Sequence, residues 1–124
     1  MDAHIFTIFS YAAAVFSLCL GIYGLVSPNG ALDLIGLRKV DGLPHSISEV
    51  RATYGGVFMG ASLYPLVSDQ PHAFLALAAA WTLAGVCRLA SVVFDGAATR
   101  FNLTSVAIEL AVGALIAAPY LSRL

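Results

Sequence analysis

Apolar and polar positions along this chain change over about twenty residues, not over two or over a helical turn. Residues 5–26, 48–67, 73–94 and 102–121 form four long apolar stretches of 20–22 residues each, and the first carries no Asp, Glu, Lys or Arg. An α-helix rises about 1.5 Å per residue and a bilayer core is about 30 Å thick, so roughly 20 residues are enough to cross it. Each stretch is apolar nearly all round, as a lipid-facing helix is. None shows the period-two alternation of a membrane barrel strand. The first stretch does not read as a cleaved leader: Asp2 and His4 stand where a basic start belongs, and the apolar run is too long. The pattern predicts one all-α domain over residues 1–124, a transmembrane four-helix bundle running up-down-up-down.

The connections sharpen this picture. Residues 68–72 form a tight turn, which makes the second and third helices antiparallel neighbours, and residues 95–101 join the third and fourth in the same way. Residues 27–47 form the one long connection. It opens on Pro28-Asn29-Gly30, a turn signal. Ala31-Leu32-Asp33-Leu34-Ile35-Gly36-Leu37 follows, apolar but too short to span, and reads as a short interfacial helix ahead of the Arg38-Lys39 pair.

Composition narrows the classes of function. Hydrophobic residues make up 60% and charged residues 10% of the 124 positions, with a mean hydropathy of +0.89. A soluble domain of this size has a large surface to cover with polar side chains, and this chain lacks them. Disorder is excluded for the same reason. A net charge of −1 and a pI near 6.2 leave no phosphate footprint, so no nucleic-acid partner is expected. Arg38, Lys39 and Arg100 fall on one side of a four-span topology, and Arg123 falls on the other with both termini. The positive-inside rule then places the termini on the periplasmic or external side.

Five charges fall in or at the ends of these helices: Glu49 and Arg51 in the second, Arg88 and Asp95 in the third, and Glu109 in the fourth. An ionised side chain at the bilayer centre costs at least about 2.5–3.5 kcal/mol, so such groups face a bundle interior or a wet cavity. Glu49 and Arg51 lie within ~5 Å of the start of their helix, and Arg88 and Glu109 each lie ~10 Å deep by helical rise. All five are therefore expected in one leaflet. Arg88 and Glu109, at matched depth on helices joined by a short link, are the preferred ion pair. Arg51 is expected to reach Glu49, Asp95 or Glu109.

Spacing supports convergence. Arg88, Ser91 and Asp95 stand at i, i+3 and i+7, as a single helix face requires, and Asn102, Ser105 and Glu109 repeat the pattern. Arg51 and Tyr54 stand at i and i+3. Glu49, Arg51, Tyr54, Arg88, Ser91, Asp95 and Glu109 are the candidate binding residues. Three carboxylates meet two guanidiniums, and an unpaired carboxylate in a poorly solvated site is costly. Either one carboxyl holds a proton, with Glu109 the first candidate as the deepest, or a cation, water or ligand completes the set. The same charges could instead serve only to fix which helices pack together.

Other signals are weaker. Gly55, Gly56 and Gly60 include a G-x-x-x-G spacing, read here as packing within the chain, as are Gly21, Gly24 and Gly113 with Ala117. Pro65 and Pro119 are expected to kink or end their helices. Cys19 and Cys87 read as buried apolar thiols without the C-x-x-C of a redox pair. His4, His45 and His72 are isolated, so neither a metal nor another cofactor is expected. Trp81 and Tyr120 are placed at ordinary lipid-facing or interfacial positions. No G-x-S-x-G, Walker or dinucleotide motif sits on a strand.

Glu49-Val50-Arg51-Ala52-Thr53-Tyr54-Gly55-Gly56, then Arg88-Leu89-Ala90-Ser91 running on to Asp95-Gly96, then a membrane Glu109, resembles the small bacterial membrane proteins grouped as domain of unknown function 4345. The pattern of that family, E-x-R-x-x-Y-G-G, R-x-x-S-x-x-x-D-G and a membrane Glu, has its match at every position. The architecture is also similar to that of the DoxX-like four-helix proteins. The resemblance implies a bacterial inner-membrane location and carries no particular reaction with it.

Three functions fit. The first is a binding protein whose arginines hold an anionic group, a lipid headgroup or the carboxylate of an isoprenoid-like amphipathic molecule, with Tyr54 and Ser91 orienting it. The second is a structural or accessory subunit of a membrane complex, or a homo-oligomer. The third is a membrane enzyme that moves a proton on a lipid-like substrate, with Glu109 as acid and Glu49 or Asp95 as base. A transporter fits less well, because one copy has too few helices for an alternating-access repeat.

Overall fold

The computed structural model describes residues 3–121. Asp2 and Arg123, which entered the leader and orientation arguments, lie outside the described residues. Regular structure among the described residues is entirely helical. Helix α1 runs Ala3–Val26, α2 Pro28–Leu34, α3 His45–Val50, α4 Phe58–Ser68, α5 Pro71–Phe94 and α6 Arg100–Ala117, with a π-helical segment at Arg51–Val57 between α3 and α4.

Three helical segments are long and apolar enough to cross a membrane: His4–Val26, Pro71–Phe94 and Arg100–Ala117. The predicted second span is helical as well, but not as one α-helix. Val50 (φ −61°, ψ −46°) and Phe58 (φ −63°, ψ −43°) keep helical angles on either side of the π segment. The stretch is thus one helical course whose hydrogen-bond register widens over seven residues.

Two details of the connections depart from expectation. Pro28-Asn29-Gly30 is not a turn but the opening of α2, with Pro28 in the first helical turn where its missing N–H costs nothing. At the other end α6 stops at Ala117, four residues before the predicted boundary, because Pro119 cannot donate to the ladder. Pro65, in contrast, does not end its helix, and α4 continues through it to Ser68.

The chain divides into two compact units, one from its start to Ala13 and from Ser68 onward, the other Ala14–Val67. The first unit is built on the α5–α6 hairpin. Gly113 sits against α5, where an added Cβ would lie 3.1 Å from the Ala78 carbonyl. The opening turns of α1 join this hairpin. The Ser10 hydroxyl, fully buried, donates to the Ile116 carbonyl at 2.9 Å. The Tyr11 hydroxyl donates to Asp69 Oδ1, and the Tyr11 and Tyr120 rings pack on the buried Phe74 with centroids 4.9 and 5.0 Å away. Trp81 and Tyr120 are therefore core residues, 8% and 4% exposed, and not the lipid-facing or interfacial aromatics that the sequence suggested.

The second unit is organised by a close backbone crossing. An added Cβ on Gly24 would lie 2.9 Å from the Tyr54 carbonyl carbon and oxygen, and one on Gly21 would lie 2.7 Å from the Met59 nitrogen. Facing them, a Cβ on Gly55 would lie 3.2 Å from the Leu25 nitrogen. Small residues let helix backbones approach this closely in lipid, where packing replaces the hydrophobic drive. The crossing uses Gly21, Gly24 and Gly55. The Gly56 and Gly60 pair, which carries the G-x-x-x-G spacing, meets no other element: a Cβ on Gly60 would find nothing within 4 Å. Ser17 and Ser62 are buried here with their hydroxyls 2.8 Å apart, and Ser62 donates to the Phe58 carbonyl at 2.7 Å. Helix α2 covers α3 through Ala31 and Leu32, which pack with Val50, Ile47 and Tyr54.

The crossing predicts a sharp asymmetry between glycines. Gly24→Leu drives a side chain into backbone that cannot rotate away and should cost about 3 kcal/mol, the upper part of the overpacking range. Gly60→Ala should leave stability unchanged or raise it by up to about 1 kcal/mol through helix propensity. Thermal unfolding of the detergent-solubilised protein measures both.

Candidate functional site

Arg88 and Glu109 meet in the α5–α6 hairpin. Arg88 Nε donates to both carboxylate oxygens, at 3.1 Å to Oε1 and 3.0 Å to Oε2, and Nη2 donates to Oε1 at 2.8 Å. This is the preferred pair of the sequence reading, formed from helices that the short link makes neighbours. Both oxygens of Glu109 accept from the guanidinium, a group that only donates. The pair is lopsided in burial: the Arg88 side chain is 31% exposed and the Glu109 side chain 11%.

A third residue fixes the guanidinium. Asn102 Oδ1 accepts from Arg88 Nη1 at 3.3 Å, and Asn102 Nδ2 donates to the Ala97 carbonyl at 2.9 Å. The Asn102 backbone N–H is in turn capped by the Thr99 hydroxyl at 3.2 Å. Link, helix start and ion pair are thus one hydrogen-bonded run. Asn102 was visible in the sequence only as one step of a stripe at i, i+3 and i+7. Its signal was the Thr99 cap, which turns the first residues of α6 inward.

Ser91 and Asp95 do less than predicted. The Ser91 carbonyl accepts from the Asp95 N–H at 3.0 Å and from the Ala97 N–H at 3.3 Å, so Ser91 terminates α5 with its backbone. Asp95 is exposed and pairs with no cation among the described residues. The i+7 relation places it on the face of Arg88 but past the helix end, at an exposed position.

In the other unit Glu49 is exposed and accepts from Thr53 Oγ1 at 2.8 Å, one turn along. Arg51 is exposed and pairs with no carboxylate among the described residues, although it was expected to reach one. Residues two apart do not face each other on a helix, so Glu49 cannot serve it. Tyr54 was expected to share the face of Arg51. The π segment spoils that relation, because its i→i+5 bonds put more than 3.6 residues in each turn. Tyr54 instead turns inward, half-buried against Ala31, Leu32 and Val50, its ring near that of Phe58 at 6.5 Å. The charge imbalance inferred from the sequence does not create a buried unpaired carboxylate, since the two unpaired acids, Glu49 and Asp95, are both exposed.

The family described as domain of unknown function (DUF4345) matches residues 5–118. The chain belongs to that family. No curated protein and no solved structure matches it. Every residue that carried the DUF4345 resemblance lies inside the matched span, and the π segment begins at the arginine of its first motif.

One further expectation changes. Cys19 and Cys87 are free and both exposed on the outer faces of their helices, so they are not buried thiols. No three His, Cys, Asp or Glu side chains converge on a common point among the described residues.

The uneven burial of the ion pair generates a directional prediction for this DUF4345 protein. Arg88→Met strands the more buried carboxylate and should cost about 3 kcal/mol, the scale for breaking a buried pair. Glu109→Leu leaves a guanidinium that can extend toward a polar boundary on its long stem, and it should cost less than half as much. The Arg88→Leu, Glu109→Met double replacement should recover most of the loss. Chemical unfolding of the three variants measures the order.

Proposed function

We propose that this protein is a four-span protein of the bacterial inner membrane that holds an anionic amphipathic molecule by its headgroup. In this reading the helical course through α3, the π segment and α4 is the fourth span, the bundle is of the DoxX-like kind, and both termini are periplasmic. The arginine that takes the headgroup is Arg51. The observation that carries this is a guanidinium without a carboxylate partner on a π-helical segment in an otherwise apolar stretch. A charge in such a place is expensive unless something meets it, and π segments within helices recur at functional sites. Arg51 is shallow, within the first turns of its span, which suits a headgroup while the tail lies along apolar helix. Membrane lipids and isoprenoid-like acids are the chemistries that fit.

Within the same reading Arg88 and Glu109 act as a lock. Their contact satisfies both oxygens of the acid, and Asn102 ties it to the link. This closed arrangement favours, as a second reading, an accessory subunit whose charges serve only its own packing. An enzyme that moves protons would need a deep carboxyl whose oxygens are not already committed.

Native mass spectrometry of the detergent-purified protein separates these readings. Binding at Arg51 should appear as a retained lipid-like acid. Arg51→Ala should weaken it about tenfold or more, the scale of a lost charge-assisted bond. Equal retention in wild type and Arg51→Ala, or no bound molecule in either, would favour the accessory subunit.

A further inference from the structure

The second unit carries an apolar surface that neither the ion pair nor Arg51 explains. Between α2 and α3 the chain exposes Leu34 (56%), Leu37 (50%), Val40 (60%) and Leu43 (42%) within ten residues. Arg38 and Lys39 sit in their midst, exposed and without an ion-pair partner among the described residues. The segment is not an open tether. The Leu37 N–H donates to the Leu32 carbonyl at 2.9 Å and the Leu43 N–H to the Val40 carbonyl at 3.3 Å. Gly36 (φ +73°) and Gly42 (φ +79°) make left-handed bends at which an L side chain would be strained. The base of this arm is fixed, because α2 lays Ala31 and Leu32 on Val50, Ile47 and Tyr54.

We propose that residues 34–43 form an arm that lies in the headgroup layer of the bilayer, with Leu37, Val40 and Leu43 below the phosphates and the Arg38 and Lys39 heads on phosphodiester groups. The inference rests on the chain spanning the membrane and is independent of any ligand at Arg51. Its occupant follows from position and charge. The arm joins α1, which is long and apolar enough to cross a membrane, to the next helical course, so it emerges at a bilayer surface. Apolar side chains beside long cationic ones match that layer: the apolar groups leave water, and the basic stems lie along them with their heads at the phosphates. Asp41 within the arm and Asp33 at its base offset the two cations, so residues 33–43 carry no net charge. Its partner is therefore the phosphodiester common to phospholipids, and a zwitterionic bilayer suffices. Because α2 grips Val50 and Tyr54, seating the arm also sets the depth of the π segment that begins at Arg51.

The test uses the full chain with Cys19→Ala and Cys87→Ala in phosphatidylcholine vesicles. An environment-sensitive fluorophore is placed singly by Val40→Cys, Ala98→Cys or Val15→Cys. The expected result is that the label at 40 is quenched by a headgroup-level lipid-borne quencher and shielded from aqueous iodide, as the one at 98 is not. Adding Leu37→Ser with Arg38→Gln and Lys39→Gln should expose the label at 40 to iodide. A label at 40 as open to iodide as that at 98, with the label at 15 still lipid-embedded, overturns the arm alone. Iodide access at 15 as well overturns the membrane-spanning reading and the arm with it. Unchanged shielding at 40 in the triple variant overturns the role given to Leu37, Arg38 and Lys39.

Discussion

A charge inside an apolar helical hairpin has to find its counter-charge within the chain, and the α5–α6 unit is arranged around that requirement. The Arg88 guanidinium spreads over both oxygens of Glu109, and Asn102 holds its far edge. The Glu109 side chain is only 11% exposed, so breaking the pair costs more than breaking a surface ion pair does. The link at residues 95–99 is drawn into the same network through Ala97 and Thr99. Ion pair, link and helix cap therefore stand or fall together, which gives this hairpin one register.

The Ala14–Val67 unit solves its packing differently. It has no such pair, and its cohesion comes from backbone approaching backbone at Gly21, Gly24 and Gly55, with the Ser17 and Ser62 hydroxyls buried beside the crossing. The π-helical register falls on the same stretch of chain. A widened turn rotates the residues before it relative to those after it. Tyr54 is thereby directed toward α2, and Arg51 is left outside. The two arginines of the DUF4345 motifs thus have different fates: Arg88 is consumed by structure, and Arg51 remains available. Together with the apolar arm between α2 and α3, this gives the protein's proposed lipid chemistry a place in the second unit.

Much of this is legible in the amino-acid sequence alone. The predicted starts and ends of the helices agree with α1, α5 and the 45–68 course to within three residues, because apolar length is a property that each stretch carries by itself. The Arg88–Glu109 pair was legible for a related reason: a short link and equal depth leave two opposite charges on neighbouring helices little choice. The errors fall where the outcome depended on a second element. Tyr120 looks like an interfacial aromatic until its ring packs on Phe74 of α5, and Trp81 until the fold buries it. Gly56 and Gly60 carry the better motif, but Gly55 has the better position once α1 crosses there.

The amino-acid sequence by itself determined that the chain is helical, that it is too apolar for water, where its helices begin and that Arg88 belongs with Glu109. Each follows from hydropathy, length and spacing, which do not depend on how elements meet. The tertiary structure alone decided that Arg51 goes unpaired, that Asn102 completes the ion pair and that Tyr54 faces inward. Those outcomes hang on the widened register at Arg51–Val57 and on close backbone contacts. A one-residue change in helical phase rotates every side chain before it relative to those after it, and no local pattern of residue types records that phase.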